Sequence, residues 1–268
     1  MRGVYRWPIG LFRIALFDIH LVRCFLMFTA VALLASVKPS DAALLLAGGG
    51  STTPEMVRTF IQAIGGPDQP ILVVPLMRER ADEAGRQSAD FLREHGAKNV
   101  DVFLEVEYHP LDQAATRARF LRAKGLWLPG GDQGLFMQRL GASFAKDLFQ
   151  LAHRRGISVF GTSAGAMLMS DPMIDGWEDD TRPKRSPGLG LIPVLVDTHY
   201  RERERQGRLR FAFESWNSHT RALGLSEGEW ILWQGGRVRQ SSGRPEWLAH
   251  TTEVTSATRA WRSTRMGR

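Results

Sequence analysis

Cysteine is nearly absent from this 268-residue chain, and Cys24 is the only one. It sits in an N-terminal stretch that reads as a removable leader. The mature chain would then have no disulfide, no thiolate nucleophile and no cysteine-ligated metal. Zinc-finger spacing, aromatic-basic RNA motifs and heptads are also missing, so a nucleic-acid partner is not expected. No internal repeat or low-complexity linker divides the chain. No apolar run reaches the roughly 20 residues of a membrane span. Acidic residues are the scarcer charge, 28 against 35 Lys and Arg, and much of the basic excess lies in the N-terminal stretch, in 182–210 and in the tail. That balance is compatible with an anionic substrate, with nucleic acid or with solubility alone.

The leader is marked by Arg2, Arg6, Arg13 and Arg23, then an apolar run over 25–37, then Lys38-Pro39 and small residues up to Ala42. This is the order of a secretory signal peptide cut near Ala42. It implies a periplasmic or secreted protein with no stable membrane association after cleavage. Residues 43–268 are expected to form a single domain, with an irregular tail after Leu225.

Short apolar runs at 43–47, 71–75, 100–104, 125–129 and 157–160 alternate with stretches of helical periodicity at 54–64, 79–95 and 135–151, the last broken or bent near Gly141. Continuous apolar strands separated by amphipathic helices specify an α/β fold with a mainly parallel sheet covered on both faces. Ligands in such sheets collect beyond the carboxyl ends of the strands. The loops there are 48–53, 75–79, 130–133 and 161–165. Gly48-Gly49-Gly50 has neither the Rossmann spacing nor a Walker lysine, and reads as a structural turn.

The last of these loops carries the best candidate nucleophile. In Gly161-Thr162-Ser163-Ala164-Gly165 the serine sits on a tight bend between strand and helix, with its hydroxyl projecting and the next N–H placed to meet an oxyanion. A serine nucleophile needs a base and a carboxylate to orient it. His199 ends another apolar strand, Leu195-Val196-Asp197-Thr198-His199, and is preferred over His219 and His250. Asp175, Glu178, Asp179 and Asp180 are the candidate orienting acids, and Glu178 is favoured. The charged run after His199, which includes Arg201, Arg203, Arg205 and Arg208, is either a solvated helix start or a clamp for substrate carboxylates.

Gly130-Gly131-Asp132-Gln133, the Ser163 turn and the segment from Gly188 to Tyr200 together resemble the cyanophycinase and dipeptidase E family of serine peptidases. The resemblance covers roughly residues 43–225. It implies a three-layer α/β/α fold, flavodoxin-like and related to class I glutamine amidotransferases, with serine in place of cysteine. It also implies Ser163 as nucleophile, His199 as base, and oxyanion donors at Gly131 and Ala164. Substrate contacts would fall at Asp132, Gln133, Asp197, Arg203, Arg205 and Arg208. The substrate would be a peptide with free carboxylates, no metal or organic cofactor would be needed, and a homodimer is expected because family members are often dimers. Thr198 stands where cyanophycinases usually have glutamine, and the tail after Leu225 departs from the family's apolar closing strand. Two other readings carry their own tests: an α/β-hydrolase esterase that uses His250, and a non-catalytic binder of an acidic polymer.

Overall fold

A computed structural model describes residues 42–104 and 111–250. The leader up to Asp41 and the last eighteen residues of the tail lie outside the described residues, as does the segment 105–110. Among the described residues no helix is long and apolar enough to cross a membrane.

The expected parallel strands form as β1 (Ala43–Ala47), β2 (Ile71–Val73), β3 (Val100–Val102), β4 (Gly125–Leu128) and β5 (Ser158–Thr162). They lie side by side in the order β1, β5, β4, β2, β3. Their period of two sorts the apolar residues to two buried faces. Leu44, Leu46, Leu126, Leu128 and Val159 enter one core, while Leu45, Trp127 and Phe160 enter the other. Helices α1 (Pro54–Ala63) and α2 (Ala81–Glu94) cover the second face through residues such as Met56, Phe60, Ala89 and Leu92. Helices α3 (Gln113–Phe120), α4 (Gln133–Leu140) and α5 (Ala142–Arg154) cover the first through Phe120, Phe136 and Phe149. The three-layer α/β/α class expected from the sequence is the one formed. Gly141 separates α4 from α5, where a break was expected.

The region after the serine turn differs from the sequence reading. A short α6 (Ala164–Met167) leads to a hairpin of β6 (Met173–Trp177) and β7 (Pro183–Ser186), then to β8 (Leu195–Thr198) and α7 (Gln206–Trp216). The strand β8 does not extend the main sheet. It pairs in parallel with β9 (Arg221–Leu225), and β9 pairs in turn with β12 (Glu246–Ala249), in a separate three-stranded sheet.

The stretch expected to be an irregular tail is also ordered up to His250. Trp230–Gln234 forms β10, which pairs antiparallel with all five residues of β1, and β11 (Arg237–Ser242) closes the seven-stranded sheet. Trp230, Ile231, Leu232 and Trp233 are all buried, so an apolar closing strand is present where the sequence reading expected a departure from the family. Its continuous apolar run fits a strand covered on both faces.

Candidate active site

Register brings three strand ends together: Leu46 and Leu128 both face Gly161, and Ala47 faces Thr162. The loops after β1, β4 and β5 therefore open at one edge, as α/β topology requires. Ser163 follows β5 at φ 53° and ψ −120°, and its N–H donates to the carbonyl of Ala47 at 2.9 Å. A serine in this left-handed region carries about 1–3 kcal/mol of strain. The bend holds its hydroxyl out of the sheet.

His199 comes from the second sheet and also has positive φ, 49°. Its N–H donates to the Gly48 carbonyl at 2.8 Å, which ties the end of β8 to the end of β1. Nε2 of His199 lies 2.8 Å from Ser163 Oγ, and Nδ1 lies 2.6 Å from Oε1 of Glu227. A carboxylate can only accept, so the network assigns the proton to Nδ1 and leaves Nε2 to accept from the serine hydroxyl. Gly49 is required beside this ring. Its φ is +101°, and a Cβ there would stand 2.4 Å from His199 Cε1.

Glu227, in the turn between β9 and β10, corrects the expectation of Glu178. Glu178 is exposed in the β6–β7 hairpin, where its N–H donates to the Arg182 carbonyl. The other three acids do not take its place. Asp175 receives Lys184 Nζ and Ser186 Oγ, Asp179 pairs with Arg182, and Asp180 is exposed. The turn holding Glu227 is itself built by side chains. Glu229 accepts the N–H groups of Ser226 and Arg244 and the guanidinium of Arg201, and Glu202 accepts the N–H of Glu227. Burial works against the charge on Glu229, but these donors outweigh it and hold its carboxyl below the ordinary value.

Two cavities meet at Ser163. The smaller, of about 240 Å³, is lined by Gly131, Asp132, Gln133, Ala164 and the side chains of Arg203, Arg205 and Arg208. The charged run after His199 is therefore divided. Arg201 and Glu202 brace the Glu227 turn, and the three later arginines face the cleft. Gly131 and Ala164, the expected oxyanion donors, both line this cavity with the serine. A Cβ at Gly131 would come within 2.2 Å of the Met77 carbonyl oxygen, so the backbone can pass only as glycine. Gln133 is buried, with its amide donating to the Ile174 carbonyl at 2.8 Å. Asp132 caps α4 by accepting from Leu135 N–H at 2.9 Å.

Asp197 is not placed as a substrate contact, which corrects that expectation. It is fully buried and lines neither cavity. Its two oxygens take both Nε and Nη2 of Arg208, one Nη of Arg205 and the N–H of Thr198. It fixes the arginines from behind. Burial pushes the Arg205 guanidinium down to about 10, still charged at neutral pH. Trp177 covers the Arg208 guanidinium at 5.5 Å.

His250, the base of the esterase reading, stacks on Phe213 with ring centroids 4.1 Å apart. His219 meets Ser218 and lines a different cavity, with Lys146 and Asp171. Among the described residues Ser163 thus has one histidine at hydrogen-bond distance, His199. Among the described residues no group of His, Cys, Asp and Glu is arranged to hold a metal ion.

The fold is that of two solved structures: a peptidase from an acI-B1 Actinobacterium, with TM-score 0.56 and 17% identity over 78% of this chain and 94% of that one, and a structure described as a peptidase E protein from Listeria monocytogenes EGD-e, with TM-score 0.54 and 16% identity over 76% and 98%. Among curated proteins, a cyanophycinase of Synechococcus elongatus is 35% identical over 186 residues, 65% of this chain and 56% of its own length. A cyanophycinase of Trichormus variabilis is 31% identical over 232 residues, 80% of this chain and 77% of its own. Residues 44–241 match Peptidase family S51, from within β1 to within β11. That match takes in β2 to β10 whole, together with Ser163, His199 and Glu227, so the chain belongs to peptidase family S51.

Proposed function

We propose that this chain is a cyanophycinase-like serine peptidase that cleaves an amide bond on the carbonyl side of an aspartyl residue. The observation that carries the reading is the unbroken relay from Glu227 Oε1 through His199 to Ser163 Oγ, beside a cavity lined by three arginines. Ser163 Oγ attacks the carbonyl carbon while its proton passes to His199 Nε2. Glu227 stabilises the imidazolium through Nδ1. The tetrahedral oxyanion rests on the N–H groups of Gly131 and Ala164. On collapse, His199 gives the proton to the departing amine. A water molecule, deprotonated by the same histidine, then releases the acid and frees Ser163.

Arg203, Arg205 and Arg208 would hold the carboxylate of the acyl residue. Guanidinium forks match carboxylate geometry, and Asp197 presets two of them. The 35% and 31% identical relatives are called cyanophycinases, which supports polymers or peptides of aspartate and arginine as the substrate class. The leader reading puts the mature protein in the periplasm or outside the cell, which N-terminal sequencing of the exported protein would check.

The test is incubation with cyanophycin and β-aspartyl-arginine peptides, read by mass spectrometry. Ser163→Ala serves as the folded, inactive control. Hydrolysis that survives this substitution would overturn the nucleophile. A protein that binds the polymer but leaves Ser163 unlabelled by a fluorophosphonate would favour the non-catalytic binder.

A further inference from the structure

A larger cavity, about 650 Å³, also borders Ser163 and differs in its lining from the three-arginine cavity. The two share Ser163, Gly131 and Arg203, but only the larger is lined by His199. This difference assigns the sides. The leaving amine must take its proton from His199 Nε2, so it departs into the space that His199 borders. The acyl residue then occupies the side with Ala164.

The lining of that space is distinctive. Phe91 and Trp127 supply apolar surface, Gln87 a neutral amide, and Arg78 and Arg203 the cationic groups, with no carboxylate among the described residues that line it. The Arg78 guanidinium is exposed and makes no hydrogen bond or ion pair among the described residues. Its backbone is held in place. The guanidinium of Arg139 donates to the carbonyls of Arg78 at 2.7 Å and Leu76 at 3.3 Å, and the next residue's carbonyl, Glu79, is 3.4 Å away. The Met77 carbonyl also accepts the N–H of Asp132, which locks this loop to the Gly131 loop. Arg78 stands on a fixed backbone and faces a cleft with no carboxylate among its described lining residues, which favours an anionic group there.

We infer that the larger cavity is the leaving-group subsite and that Arg78 selects a carboxylate there. It accepts either the terminal carboxylate of a residue just beyond the scissile bond or an acidic side chain. This inference rests on the reading of Ser163 and His199 as nucleophile and base. The Phe91 and Trp127 surface leaves room for the aliphatic part of the departing residue.

The experiment uses Ser163→Ala protein, so that ligands persist, with and without Arg78→Gln. Calorimetry compares aspartyl-alanine, aspartyl-alanine amide, aspartyl-glutamate amide and aspartyl-arginine amide. The free carboxylate or the glutamate should bind about tenfold more tightly than the alanine amide or the arginine amide. Arg78→Gln should erase that preference, and Arg78→Lys should restore part of it. Aspartyl-alanine against its amide reads the terminal carboxylate, and the glutamate amide reads the side chain. Equal binding of all four, no binding of any, or an unchanged preference in Arg78→Gln overturns the inference. Turnover by the unsubstituted protein is scored separately. Absent hydrolysis with the binding preference intact counts against the peptidase reading and leaves the carboxylate site standing.

Discussion

Replacing Glu227 by glutamine keeps the side chain's volume and removes only the charge that faces His199 Nδ1. The amide can present its NH2 to that nitrogen, which favours the tautomer with the proton on Nε2, where it can no longer accept from Ser163. The expected result is a fall in kcat of about 10³–10⁴, with unfolding by denaturant nearly unchanged. Glu178→Gln, on the exposed hairpin, should leave kcat unchanged. Steady-state kinetics on any peptide that turns over would separate the two. Ser163 and His199 were legible because each ends an apolar run in a local pattern. Glu227 was not, since it stands 28 residues past His199 and its partner is set only by how two sheets meet. The signal available was the polar turn Ser226-Glu227-Gly228-Glu229 between two apolar runs, read as strand, turn and strand. Asp197 was visible but misassigned, because sequence spacing does not tell whether a carboxylate faces a cleft or the core. Its position gives a second prediction. Asp197→Asn leaves the buried Arg208 guanidinium and its neighbour Arg205 without a counter-charge, and should cost about 3–5 kcal/mol in chemical denaturation.

The turn between β9 and β10 is the element on which the relay depends, and Glu229 is its clasp. Its carboxylate closes Ser226, Arg201 and Arg244 around the loop that presents Glu227. Its folded pKa lies below the ordinary 4.5, so the stability it adds is fully present above the unfolded value and is lost as pH falls through the folded one. Glu229→Gln should therefore cost about 2 kcal/mol at neutral pH, and the gap from the unsubstituted protein should narrow on acidification below about 4.5. Urea midpoints measured across that range check it; a gap that widens toward acid would reverse the sign of the argument. Elements buried on both faces, β1, β2, β4 and β5, could be read from continuous apolar runs. The same signal was present in Trp230-Ile231-Leu232-Trp233, but the charged turn before it suggested a tail. β8 was legible as a strand but not as part of a second sheet, because pairing partners are not encoded in one strand's own pattern.

At the scale of the molecule the site is a joint between two sheets. The seven-stranded sheet supplies Ser163, the three-stranded sheet supplies His199, and the turn that links β9 to β10 supplies Glu227. Three backbone bonds stitch the joint: His199 N–H to Gly48, Gly48 N–H to Glu229, and Gly228 N–H to Gly49. Activity thus requires that both sheets be complete, and the C-terminal strands do more than deliver one carboxylate. A chain ended at Leu225 loses β10, whose residues pair along the whole of β1, and exposes β1 as an unpaired edge beside the emptied sites of Trp230 and Ile231. Unpaired apolar edges recruit other chains. Such a chain should fail to give a monodisperse folded species by circular dichroism and size-exclusion chromatography, and a fluorophosphonate should not label it at Ser163. Glu227→Gln, measured beside it, should keep the native spectrum and elution volume and label slowly. A truncated chain that folds and labels as fast as the full one would show that the relay assembles without the closing strands, against the hydrogen bonds that join the two sheets.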